Sequence, residues 1–215
     1  MPVSPATTVD TAHASSMAHN LERMLKSENP HVALEAGEGL TLLAEMAPAL
    51  AVPLIRLAQA HPDHHVRQAG TKAVCAVAMA DKEIARSLFM ELFEGKSGDP
   101  MSLEPVHQLN LLCEIAPWLG APILHDLLLD HENLANNYAA YALAPLAESD
   151  PALALALIET AVKDPDEDIR QKAAEGLLVL AKTYPEKVRA LNEPLLHDES
   201  ERVQLEAKNV LKALG

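Results

Sequence analysis

The densest set of side chains with chemical potential is His61, Asp63, His64 and His65, drawn from a chain that holds ten histidines. His61 and His65 are placed to meet a single ion. A zinc site needs three or four ligands in a held geometry, and these residues fall in a turn and the first turn of a helix, where polar side chains are ordinary. We expect no metal there. Gly95-Lys96-Ser97 resembles the end of a phosphate loop, but Met90 stands where that loop needs its first glycine, and no strand precedes it. Cys75 and Cys113 each sit on an apolar helical stretch and read as small buried hydrophobes in a reducing compartment. The sequence has no nucleophile elbow, no His-Glu-x-x-His and no glycine-rich dinucleotide loop. We therefore expect no catalytic residue and no cofactor.

A different chemistry is concentrated in the middle of the chain. His107, Gln108, Asn110, Glu114, Asn136, Asn137, Tyr138 and Tyr141 stand where comparable helices carry Ala, Leu or Val. Amide, imidazole and phenol groups on neighbouring helices make a hydrogen-bonding surface on which a peptide or helix can dock. The candidate partner-binding residues are His107, Asn110, Asn137 and Tyr141, flanked by Arg67 and Arg170. Trp118 reads as core or turn packing.

Helices must position these groups. Residues 164–181 show the unit most clearly. Pro165 lies in a turn and Asp166 is placed as N-cap. Glu167 and Asp168 follow where the helix dipole favours negative charge. Ile169, Ala173, Leu177, Leu180 and Ala181 then form one face of a 3.6-residue period. The same pattern starts at Asn29/Val32, at Asp63/Val66, more loosely at His131/Leu134, and at Ser200/Val203. The anchoring residues are roughly 30–35 apart, with one double gap that a degenerate copy (Leu103, His107, Leu111, Ile115) fills; a period in this range signals stacked supersecondary units. Preceding helices are expected over 16–27, 48–60, 81–94, 121–130, 151–163 and 185–197, giving six helical hairpins.

The segments His61-Pro-Asp-His-His-Val-Arg67 and Asp164-Pro-Asp-Glu-Asp-Ile-Arg170, the small residue four places after each anchor, and the first-helix prolines Pro53, Pro122 and Pro194 resemble the HEAT-repeat (armadillo-like) family of α-solenoids. The resemblance covers residues 16–215. It implies an all-α fold, a right-handed α-α superhelix of about six HEAT-like hairpins, with second helices lining a concave, protein-binding side. Only Arg67 and Arg170 keep the arginine after the anchor, so a continuous inter-repeat Asp–Arg ladder is not expected. His131-Glu132 resembles one of the several His-Glu pairs of deoxyhypusine hydroxylases, HEAT-like enzymes with two irons, but here it stands alone. Some DNA glycosylases and bilin lyases are also built on HEAT-like units, and a resemblance to them would imply a nucleic-acid binder or a lyase-like cofactor handler.

Composition weighs among these. Hydrophobic residues make up 49% and aromatics 3%, which suits close helix packing and not a sheet. The net charge of −14 repels phosphate, so neither nucleic acid nor an anionic membrane is the expected partner. A protein or peptide with a basic surface is. No run is apolar and long enough to span a bilayer. Residues 1–15 read as a flexible leader without a secretory signal, and 16–215 as one repeat domain. The first and last helices have polar outer sides suited to solenoid ends, so the chain is expected to be complete. The sequence as a whole points to a cytoplasmic, non-catalytic protein-binding scaffold.

Overall fold

The computed structural model describes residues 11–94, 104–130 and 139–215. All regular structure among them is helical. The chain divides into two compact units, residues 1–95 and 96–215.

The first unit holds α1 (Thr11–Leu25), α2 (Pro30–Met46), α3 (Pro48–Gln59), α4 (His64–Ala80) and α5 (Lys82–Glu94). Successive helices pack as antiparallel hairpins, and α2 also packs along α4. The second unit holds α6 (Glu104–Ile115), α7 (Pro117–Leu129), a 3-10 turn (Ala140–Ala142) leading into α8 (Leu143–Ser149), α9 (Pro151–Ala161), α10 (Glu167–Leu180), α11 (Pro185–Asn192), a 3-10 segment (Pro194–His197) and α12 (Glu201–Leu214). Its second helices, α6, α8, α10 and α12, pack side by side, while α7 and α9 form the other layer. The all-α, helical-hairpin fold expected from the sequence is the one observed. Helix α1 starts at Thr11, five residues ahead of the expected Ser16. Pro194 ends the last first-layer helix by removing an N–H and crowding the preceding turn, whereas α3 and α7 run on through Pro53 and Pro122.

Burial corrects the phase of the third repeat and widens the inward stripe of the fourth. In the expected third copy, His107 and Ile115 are exposed. The buried stripe instead runs Val106, Leu109, Leu112 and Cys113. In the fourth copy Ala142 and Leu146 are buried as expected, and Ala139, Leu143 and Ala147 are buried beside them; Leu134 and Tyr138 lie outside the described residues. With these registers the period closes. A small residue recurs at Ala36, Gly70, Pro105, Ala139, Ala173 and Ala207, at intervals of 34 or 35 residues with no double gap. Four residues on comes a large apolar one (Leu40, Val74, Leu109, Leu143, Leu177, Leu211), and four further a second small one (Ala44, Ala78, Cys113, Ala147, Ala181, Gly215). The small positions allow close approach: a Cβ on Gly37 would lie 2.9 Å from that of Ala69 across the α2–α4 contact.

The turns between hairpins share one hydrogen-bond plan. Ser27 Oγ, His61 Nδ1, Asp164 Oδ1 and Asp198 Oδ1 each accept from the backbone N–H two residues on, at 3.2, 3.0, 2.9 and 2.9 Å. Asn29, Asp63 and Asp166 then cap α2, α4 and α10 through their side chains, as expected, by accepting from the N–H of His31, His65 and Asp168. Ser200 stands at the cap of α12 without a side-chain cap bond. Six residues after the start of the turn, a long polar side chain reaches back to its first carbonyl. Arg67 donates to His61 O and Pro62 O, Arg170 to Asp164 O and Pro165 O, and Gln204 to Asp198 O.

Arg170 also supplies one full inter-repeat rung. Its Nε and Nη2 donate to Asp198 Oδ2 and Oδ1 at 2.7 and 2.9 Å, with both side chains 9% exposed. The bidentate fork holds the Asp198 carboxyl below its usual range. Losing one partner strands a buried charge. Arg170→Ala is expected to cost about 3 kcal/mol and Gln204→Ala about 1 kcal/mol, read by urea denaturation, with hydrogen-exchange protection lost first over residues 185–214. Because the folded pKa of Asp198 is depressed, its contribution is complete above the unfolded carboxylate range near pH 4 and fades as pH falls through the folded value. Arg170→Ala should therefore flatten part of the acid limb of the stability profile.

Candidate functional site

The buried face of each second helix fixes which residues are left to face outward. At 100° per residue, positions two before, two after and five after the repeating small residue lie about 160°, 200° and 140° around the helix from it. They form the open face. Two after come Glu38, Lys72, His107, Tyr141, Glu175 and Asn209. Five after come Thr41, Cys75, Asn110, Ala144, Leu178 and Lys212. His107, Asn110 and Tyr141 thus all occupy open-face positions. Asn137 lies outside the described residues.

Arg67 and Arg170 are elsewhere. Each stands three residues before the small residue, about 60° from it, on the side turned toward the core. Their guanidinium groups are used in the turns described above, so the structure does not bring them to the flank of the open face.

In the second unit, Tyr141 is 47% exposed and sits on the 3-10 turn, which packs against α6 and α10. Lys172 Nζ lies 4.1 Å from its ring centroid and is held there by both Glu175 carboxylate oxygens at 2.7 and 2.8 Å. This cation–π contact and the ion pair make a fixed polar platform. The two helices packed against this turn each carry an amide oxygen that sequence reading did not single out. Asn110 Oδ1 on α6 and Gln171 Oε1 on α10 are buried with no hydrogen-bond partner among the described residues. Their side chains remain partly exposed. Gln171 occupies the open-face position two before the small residue; correct repeat phasing is the signal that finds it.

In the first unit, α2 and α4 enclose a groove of about 320 Å³ lined by Leu34, Glu38 and Thr41 on one wall and His65, Gln68 and Lys72 on the other. His61, the remaining member of the histidine cluster, uses Nδ1 within its own turn, and the rings of His64 and His65 are 3.7 Å apart. Among the described residues no group of three or more His, Cys, Asp or Glu is arranged to hold a metal ion. Gly95-Lys96-Ser97 and His131-Glu132 lie outside the described residues. Burial pushes the Cys75 thiol up to about 11 and that of Cys113 to about 12, leaving both unreactive near neutrality. Trp118 is exposed, not in the core. No helix among the described residues is long and apolar enough to cross a membrane.

No family model matches the chain, and no curated protein matches it. Among solved structures it is similar to an engineered protein at 18% identity, covering 92% of this chain and 96% of that one, with a TM-score of 0.45. It is similar to a designed armadillo repeat protein at 17% identity, covering 93% and 98%, with a TM-score of 0.44. A further designed armadillo repeat protein, solved in complex with the peptide (KR)4, gives 17% identity, 93% and 98% coverage and a TM-score of 0.45.

An unsatisfied buried acceptor costs about 1–3 kcal/mol. Asn110→Leu is therefore expected to stabilise the free protein by about 1 kcal/mol, seen as a higher urea midpoint at unchanged slope.

Proposed function

We propose that the protein is a non-catalytic scaffold that binds another protein through the open face of its second helices. The observation that carries this reading is that two amide oxygens, Asn110 Oδ1 and Gln171 Oε1, lack a partner among the described residues on the two helices packed against the 3-10 turn of Tyr141. Such groups lower stability in the free protein and gain their partners on binding. They also select the form of what binds. The middle of a helix has its N–H groups satisfied internally, whereas an extended chain has them free. A primary amide can also turn over and present its nitrogen, and an extended backbone supplies a carbonyl for that arrangement too. The partner is thus read as an extended segment crossing α6, the 3-10 turn and α10. His107 joins Asn110 and Tyr141 by its open-face position, and Asn137 is added from the sequence repeat alone, two residues before Ala139. The net charge of −14 favours a partner with a basic surface through electrostatic complementarity. The two free cysteines support placement in the reducing cytoplasm.

The test is selection from a displayed peptide library against the full-length protein, followed by affinity measurement on the selected peptides. Asn110→Leu and Tyr141→Ala should each weaken binding about tenfold or more, although Asn110→Leu raises stability. Methylating single backbone nitrogens of the peptide should weaken it at specific positions. Selected peptides that bind both variants as tightly as the parent protein would refute the assignment.

A further inference from the structure

We infer that the groove between α2 and α4 receives the C-terminal end of a partner polypeptide finishing in lysine or arginine. This site lies in the first unit and is independent of the open-face reading for the second. Helices α2 and α4 approach closely where Gly37 meets Ala69, and Ala69 lines the groove between them. Longer side chains rise on both sides, and their charges are opposed. Glu38 stands on the α2 wall, and Lys72 and His65 on the α4 wall.

Glu38 and Lys72 line the same space, yet neither is paired with the other or with any described residue. Two opposite charges that share a cavity without meeting are matched by a ligand that carries both signs and bridges them. The cavity, at about 320 Å³, is at the small end for ligand sites, so both charges must come from about one residue. A C-terminal lysine or arginine meets that requirement. Its α-carboxylate faces Lys72, with the imidazole of His65 beside it. Its side-chain cation reaches Glu38, and its methylene stem lies along Leu34 and Ala69. Thr41 and Gln68 are left to hydrogen-bond the last peptide group. A residue within a chain lacks the carboxylate, and a residue ending in an apolar side chain lacks the cation.

The test is fluorescence anisotropy with the full-length protein at low salt, using a hexapeptide labelled at its N-terminus and ending in lysine. The free-acid peptide should bind about tenfold tighter than its C-terminal amide, and about tenfold tighter than the peptide ending in norleucine. Lys72→Met should abolish the acid-over-amide preference, and Glu38→Gln the lysine-over-norleucine preference. Both residues are exposed, and circular dichroism checks that each variant keeps its helices. Asn110→Leu should leave this binding unchanged, so failure here and failure of the second-unit reading are told apart. Equal binding of acid and amide, or no binding of either at millimolar concentration, overturns the assignment. Binding of free Nα-acetyl-lysine as tight as that of the peptide makes this a small-molecule site and overturns the polypeptide end.

Discussion

Close approach of neighbouring helices, allowed by a small residue in nearly the same place every 34 or 35 residues, is the constraint on which the rest depends. Where Gly37 meets Ala69 there is no room for one further carbon. Gly176, elsewhere on its helix, packs against the Ile158 side chain of the other layer, where a Cβ would lie 2.6 Å from Ile158 Cδ1. Helices held this near one another bury Leu40, Val74, Leu109, Leu143 and Leu177 fully, and that burial is the main source of stability in a chain with few aromatics. Once that face is fixed inward, the opposite face is fixed outward. Its side chains are free to differ from one repeat to the next.

The turns show the same division between what repeats and what varies. One plan of hydrogen bonds is kept with four different acceptor residues, Ser27, His61, Asp164 and Asp198. The reach-back donor is arginine twice and glutamine once. Backbone geometry is what each turn must satisfy, and any side chain with a suitably placed donor or acceptor serves. Arg170 does more than its counterparts because Asp198 begins the following turn and offers a carboxylate at fork geometry. By contrast, Arg56 and Glu91 make an equally short fork between α3 and α5, but on an exposed surface where water and salt screen it.

Outward, the two units differ in character. The first presents opposed charges across a groove, with Glu38 facing Lys72 and His65. The second presents a platform already neutralised within itself, Lys172 meeting both Tyr141 and Glu175, and unsatisfied amide oxygens on the two helices packed against the 3-10 turn. A surface of the first kind attracts a ligand by charge. One of the second kind recognises backbone geometry.

The sequence by itself determined that the chain is helical, that hairpins recur, and where most helices start. Asn29, Asp63 and Asp166 announced their caps because a cap is a local interaction, settled by residues two apart. The inward stripe was legible wherever all its members were apolar, as from Ile169 to Ala181. Only the tertiary structure decided the phase of the third repeat. An apolar residue every four positions fits more than one register when Leu, Ala and His alternate, and burial against neighbouring helices chooses between them. It also decided that Arg170 meets Asp198 and that Tyr141 meets Lys172. Each of these pairs residues close in space but far apart in the chain, and helix-on-helix packing, not local propensity, sets that distance.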